Sequence, residues 1–248
     1  MTNRIYAIGD IHGHLDKLKL AHDLIAKDKS ITNSPDALIV HIGDLVDRGP
    51  ESAGVISHLS QGQSQGAPWI VLKGNHDRMF EGFLKDPSYQ DPVLRTDLTW
   101  LHERLGGITT LKSYGVLAPA QYDLQELHAE ALVKVPQEHL TYLENLPTSF
   151  QIDGLFFAHA GVKPGRMFSE QTEDDLLWIR KEFLEDMRDH GALIVHGHTP
   201  IDAATNYGNR VNIDGGAAFG RALYPIVIEG QEISLLTPDG RNSLPPQK

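Results

Sequence analysis

Three short runs of branched apolar residues alternate with stretches whose apolar positions recur at helical spacing. Arg4 to Asp10, Ala37 to Ile42 and Trp69 to Lys73 read as buried strands. Between the first two, Gly13 to about Lys27 reads as a helix, with Leu15, Leu18, Ala21 and Ile25 on one face. A turn is expected at Asn33-Ser34-Pro35-Asp36. Pro50 is suited to open a second helix, Glu51 to about Ser60, and 62–68 reads as a polar loop. Strand, helix, strand, helix, strand predicts an α/β fold with a mostly parallel sheet and right-handed crossovers.

From about 79 to 147 the pattern changes to helices alone, expected at Pro92–Arg104, Leu124–Val133 and Pro136–Leu146. The small, polar segment Gly106 to Gly115 reads as a turn before a helix, with substrate contact as the alternative. Strands resume at Ser149–Ile152 and Leu155–Ala158. A helix follows at about Glu173 to Leu184, with Thr172 as its N-cap, and then a strand at Ala192–Val195. Arg210–Asp214, Pro225–Glu229 and Glu232–Leu236 read as a closing antiparallel set, and 238–248 as a frayed tail.

The chain of 248 residues suits one domain, 1–248, carrying a helical insert. It has no cysteine, which excludes disulfides and thiolate metal ligands. A net charge of −11 disfavours a nucleic-acid partner bound through phosphate neutralisation, though not a small phosphorylated substrate beside bound cations. No apolar run is long enough for a membrane span. Ile5-Tyr6-Ala7-Ile8 leads straight into a polar motif, leaving no room for a cleavable signal peptide, so a cytoplasmic location is expected.

Five polar motifs carry the candidate chemistry: Gly9-Asp10-Ile11-His12-Gly13, Gly43-Asp44-Leu45-Val46-Asp47-Arg48-Gly49, Gly74-Asn75-His76-Asp77, His159-Ala160-Gly161 and Gly197-His198-Thr199-Pro200. Most follow an apolar run, as loops at the carboxyl ends of buried strands do. Asp10 and His12, two apart on an extended segment, share one side of it and can bind one cation. Asp44 can bridge two. Arg48 beside two carboxylates is an ion pair in the plain reading, or a planar fork for a phosphate in a metal-rich site. His76 immediately follows a ligand and is the candidate general acid. Two divalent ions held by Asp, Asn and His suggest hydrolysis of phosphate esters.

These motifs resemble the phosphoprotein phosphatase family of calcineurin-like metallophosphoesterases. The match is to its bacterial branch, which holds lambda-type protein phosphatases and symmetrical diadenosine tetraphosphatases. Gly-Asp-x-x-Asp-Arg-Gly is the most discriminating piece, and the motifs span residues 9 to 200. The helical pattern of about 79–147 is itself read as an insert covering the active-site mouth. The resemblance implies two mixed β-sheets packed face to face and flanked by helices. It implies that Asp10 and His12 hold one metal, that Asp44 bridges, and that Asn75, His159 and His198 hold the other. It further implies that Arg48 and Arg180 grip the phosphate, that His76 protonates the leaving oxygen, and that Asp47 orients His76. Pro200, where wider metallophosphoesterases carry a further histidine, fits this branch and selects His198 over His196, which is expected beside the ligands. His14 and His41 are expected to be structural. Gly215 stands where similar bacterial proteins often have threonine, removing one hydroxyl near Asp214.

The activity so implied is hydrolysis of phosphate monoesters, on phosphoserine, phosphothreonine or phosphotyrosine proteins or aryl phosphates. The attacking group is a metal-bridging hydroxide, and the cation is expected to be Mn²⁺, with Fe or Zn compatible. Two alternatives stand beside it: a symmetrical dinucleoside tetraphosphate hydrolase, and a non-catalytic metal-bound sensor.

Overall fold

The computed structural model describes residues 4–247. Its amino-terminal half follows the expected alternation: β1 (Arg4–Ile8), α1 (Leu15–Ile31), β2 (Leu38–His41), α2 (Ser52–Ser64), β3 (Trp69–Val71) and α3 (Asn75–Lys85). The insert contributes α4 (Gly107–Ser113), α5 (Leu124–Lys134) and α6 (Gln137–Glu144). The remainder is β4 (Ser149–Ile152), β5 (Leu155–Ala158), α7 (Glu173–Trp178), α8 (Lys181–Leu184), β6 (Leu193–His196), β7 (Thr205–Asn206), β8 (Arg210–Asn212), β9 (Ile226–Glu229), β10 (Glu232–Thr237) and β11 (Gly240–Ser243).

Two mixed sheets result, ordered β11-β10-β9-β1-β2-β3 and β4-β5-β6-β8-β7. β1, β2 and β3 run parallel, with Ile5 beside Leu38 and Ile39 beside Trp69. Alternation of side chains along each strand sets up three apolar layers. Ile5, Ala7, Val40 and Ile42 of one sheet meet Phe157, Val195, Val211 and Ile213 of the other. On the outer face of the first sheet, Tyr6, Ile8 and Ile39 pack under Leu18 and Ile25 of α1, Val55 and Leu59 of α2, and Phe80, Trp100 and Leu111 further along. Phe156, Ala158 and Ile194 pack outward against Leu176 and Phe183. No helix among the described residues is long and apolar enough to cross a membrane.

The structure corrects several sequence expectations. The segment 92–104 is a succession of turns, not a helix: Leu94, Leu98 and His102 each donate to the carbonyl three residues back. Asp91 captures the Val93 N–H, a local bond that competes with helix formation. The helix of this region is α4, inside the segment read as a turn. The helix expected over 173–184 is broken. The Leu176 carbonyl, which Arg180 would need, accepts the Ala160 N–H at 2.7 Å, and the chain kinks at Ile179–Arg180. α2 runs four residues past Ser60 into the expected loop. The closing set is split, because β8 lies parallel to β6 in the second sheet while β9 and β10 join the first. The tail is not frayed: β11 pairs with β10, and Arg241 chelates Asp28 with two bonds of 2.7 Å.

Candidate active site

All five motif loops open at the carboxyl ends of β1, β2, β3, β5 and β6, which brings residues 10 to 198 to one place. The glycine before Asn75 and before His198 has a steric reason. A Cβ on Gly74 would lie 2.2 Å from the Asp44 Oδ1, and one on Gly197 would lie 2.0 Å from the Asp10 Oδ1. Each carboxylate sits against backbone that only glycine leaves open. The loops are also strained. Seven non-glycine residues among those described have positive φ, and five of them are His12, Asp44, Asp47, Arg48 and His198.

Asp44 is the hub. Two groups of three converging donors occur, His12 with Asp44 and His76, and Asp44 with His159 and His198, each within 4.8 Å. Asp44 is shared by both. Its Oδ2 lies 3.4 Å from His12 Nε2, and its Oδ1 lies 3.4 Å from His159 Nε2. The first turn of α3 adds a hydrogen bond from the His76 N–H to Asp44 Oδ1 at 3.0 Å.

The tautomers follow from the carbonyls. His12 Nδ1 donates to the Val46 carbonyl at 3.0 Å, and His159 Nδ1 to that of Ile42 at 3.1 Å. Each neutral ring therefore turns an Nε2 lone pair inward. His159 Nε2 then faces the Asn75 Oδ1 at 2.9 Å and the His198 Nδ1 at 3.1 Å. His159 Nε2 and the Asn75 Oδ1 are two acceptors facing each other, as happens where a cation is to sit between them. The buried His198 Nε2 has no partner. Asp10 accepts the His198 N–H at 3.0 Å but belongs to neither three-donor group.

The titration tendencies agree with this arrangement. Burial holds His12, His159 and His198 below the ordinary histidine range, so they stay neutral and able to ligate. Burial, with Asp214 and Asp44 close by, pushes Asp10 well up, and burial raises Asp214 to about 6. A carboxylate pair of this kind ionises fully only beside positive charge. Oxygen and imidazole donors without sulfur fit Mn, Fe or Zn.

Beside the hub, His76 Nδ1 lies 2.6 Å from Asp47 Oδ2, and its Nε2 receives Arg48 Nη2 at 3.1 Å. His76 is thus an imidazole held by a carboxylate on one nitrogen and a guanidinium on the other. Asp47 is itself fixed by two residues that sequence reasoning missed: Trp100 Nε1 donates to Oδ2 at 2.8 Å, and Thr110 Oγ1 to Oδ1 at 2.7 Å. Thr110 belongs to the small polar segment of 106–115, which was the available signal. Asp77 was also missed; it ties two ligand loops by accepting the Gly74 and Leu45 N–H groups at 2.8 and 2.9 Å. Arg180 sits at the kink after α7, exposed, with Nη1 3.2 Å from the Thr199 hydroxyl next to His198. His196 points away, over Phe183 at 5.0 Å, with burial driving it down to about 3. His14 stands just before α1, and His41 lies within β2.

Sheet order, converging donors and the histidine–carboxylate pair define a metallophosphoesterase. The chain belongs to the calcineurin-like phosphoesterase family, whose model matches residues 3–221. It is a hydrolase. It is 28% identical to bis(5'-nucleosyl)-tetraphosphatase PrpE [asymmetrical] of Bacillus velezensis over 237 residues, covering 87% of this chain and 85% of that protein. It is 25% identical to serine/threonine-protein phosphatase 2 of Escherichia coli, covering 86% and 87%. A solved structure described as a putative diadenosine tetraphosphatase shares the fold with a TM-score of 0.62 at 22% identity, covering 100% of this chain and 96% of that one. A cold-active protein-tyrosine phosphatase from a psychrophilic Shewanella does so with a TM-score of 0.64 at 17% identity, covering 99% and 81%.

Proposed function

We propose that this chain hydrolyses phosphate monoesters, of phosphorylated proteins or small molecules, by direct in-line displacement without a phosphoenzyme. The observation that carries this reading is Asp44 shared between two donor groups, with the His76–Asp47 pair alongside. Asp10, His12 and Asp44 would hold one divalent cation, and Asp44, Asn75, His159 and His198 the other. Two bound cations supply an activated water near neutral pH and neutralise charge on the phosphate.

The remaining work falls to side chains. Arg48 Nη1 now donates to the His12 Nε2 at 2.6 Å. That nitrogen cannot accept this bond and ligate a cation together, so metal loading frees the Arg48 fork for phosphate oxygens. Arg180 offers a second guanidinium, held beside His198 through the Thr199 hydroxyl. Asp47 holds the Nδ1–H of His76, which leaves Nε2 as the atom that delivers a proton to the departing oxygen.

His76→Ala tests this. Turnover of a phosphoserine peptide should fall by about 10²–10⁴-fold, and turnover of p-nitrophenyl phosphate far less, because an aryl oxide leaves without protonation. Equal losses on the two substrates would remove His76 from the acid role.

The relatives named as asymmetrical tetraphosphatases support a second reading, cleavage of a dinucleoside tetraphosphate at the same site. Products separate its two forms: two molecules of ADP from diadenosine tetraphosphate mean symmetrical cleavage, and ATP with AMP mean asymmetrical cleavage.

A further inference from the structure

Phe219 is the exposed member of the phenylalanine and tryptophan residues among those described, with 60% of its surface accessible. It is not on a loose loop. Gly216 and Gly220, both at positive φ, bracket the tight turn Ala217–Phe219. Ala217 is anchored in the core, and its carbonyl takes the Lys17 ammonium at 2.8 Å. The Gly216 N–H is held by Asp214 at 3.0 Å, and the Arg221 guanidinium packs against Gly216 while bonding the Ile201 carbonyl at 2.6 Å. An apolar ring is thus held in water by a rigid turn, which costs free energy unless something covers it.

The ring's position gives it a use. The Arg48 guanidinium carbon lies 5.8 Å from the Phe219 centroid, so the ring borders the residue that grips phosphate in the reading above. Lys17 reaches this turn from α1, and Arg221 follows the turn directly, with Asp202 3.4 Å from its Nη1, in a chain whose net charge is −11. A planar apolar face beside three cations matches a nucleotide, which is a flat base joined to several phosphates. A phosphoserine side chain has nothing to lay on such a ring.

We propose that Phe219 is the stacking platform for a nucleobase of a nucleoside polyphosphate whose phosphates run from Arg48 toward Lys17 and Arg221. Substrate choice is then written in this turn, outside the five ligand loops. The proposal rests on the hydrolase reading and extends its second form.

The test compares the manganese-loaded wild type with Phe219→Ala and Phe219→Trp. Phe219→Ala should raise KM for diadenosine tetraphosphate about tenfold with little change in kcat, and Phe219→Trp should restore it. KM for inorganic tripolyphosphate and for a phosphoserine peptide should not move. Calorimetric titration with ADP should show the same about tenfold loss, independent of turnover. Unchanged ADP affinity and unchanged KM in Phe219→Ala would overturn the proposal. So would an equal rise for tripolyphosphate, or a rise confined to a phosphotyrosine peptide. A wild type inactive on every substrate would sink the hydrolase reading, while the ADP titration would still decide the platform. Circular dichroism checks that the exposed-site variants remain folded.

Discussion

Strand β2 carries two histidine clusters, and their proton accounting separates them. At its end, Asp44 gathers His12, His159 and His198. The His159 Nε2 lone pair meets the Asp44 and Asn75 oxygens with no proton between them, and the His12 Nε2 faces Asp44 while taking its one hydrogen bond from Arg48. Within the strand, His41 joins His22 and His58 in a chain. His41 Nδ1 donates to the Ile70 carbonyl at 3.2 Å, which leaves its Nε2 to accept from His22 Nε2 at 2.9 Å. The His22 Nδ1 then accepts from His58 Nε2 at 3.0 Å. Each contact has one proton, every ring is neutral, and His22 stacks on Trp69 at 4.4 Å. The same residue type therefore leaves room for a cation in one cluster and none in the other. Carboxylates at strand-end loops make the difference; the second cluster is bonded to imidazoles and a backbone carbonyl, and the charges that act on it are those of Lys19 and Lys29.

The comparison breaks most sharply at Asp44. Asp44→Asn keeps the side-chain volume and tolerates the positive φ of 50°. It removes the charge that both donor groups share. Activity should fall by on the order of 10³-fold or more, and titration with Mn²⁺ should lose its tight sites. If Asp44→Asn binds as many ions as the wild type, cations go elsewhere, the His22 chain included, and the contrast between the clusters fails.

How far the sequence reveals each part depends on how local its cause is. The motif loops are legible because a strand end, a glycine and a polar donor adjoin in sequence; the close approaches at Gly74 and Gly197 account for that order. The parallel core of the first sheet was likewise legible through the branched runs of β1, β2 and β3, while the second mixed sheet was expected only from the family resemblance. The supports of Asp47 were not, since Trp100 lies 53 residues away and Thr110 lies 63. Helical periodicity over 92–104 misled for a related reason. Apolar spacing places Trp100 and Leu101 in the core equally well from consecutive turns once Asp91 takes the Val93 N–H. The kink that presents Arg180 depends on a bond between Leu176 and Ala160, which no local pattern encodes.

A smaller effect is expected at those distant supports. Thr110→Val, nearly isosteric, removes the two hydrogen bonds between its hydroxyl and Asp47, and Trp100→Phe removes the indole hydrogen bond to Asp47. Either should lower kcat on phosphoserine by about ten- to a hundredfold through misplacement of His76, with metal stoichiometry intact. The loss on p-nitrophenyl phosphate should be smaller, as it is for His76→Ala. A variant that instead loses bound manganese would tie Asp47 to the cation cluster and not to the proton carrier.

The least effect on activity, and a distinct effect on stability, is expected in the His22 chain. Burial, with His41 and His58 adjacent, drives His22 down to about 2, and burial drives His41 down to about 4. Both folded values lie below the unfolded value near 6.5, so the neutral chain stabilises the fold above that pH. As the pH falls from about 6.5 toward 4, the unfolded state takes up protons that the folded state refuses, and stability declines by about 1.4 kcal/mol per pH unit for each proton. His22→Phe retains an aromatic ring against Trp69 and removes one such proton. Urea unfolding of the manganese-loaded protein at pH 7.5 and pH 5 should then show a shallower acid loss for the variant, although its stability at pH 7.5 is lower because His41 and His58 lose their partner. Turnover at pH 7.5 should match the wild type, since His22 touches no ligand loop. Parallel pH curves for the two proteins would mean that the chain is not neutral in the fold, and the proton count that separates the two clusters would be wrong.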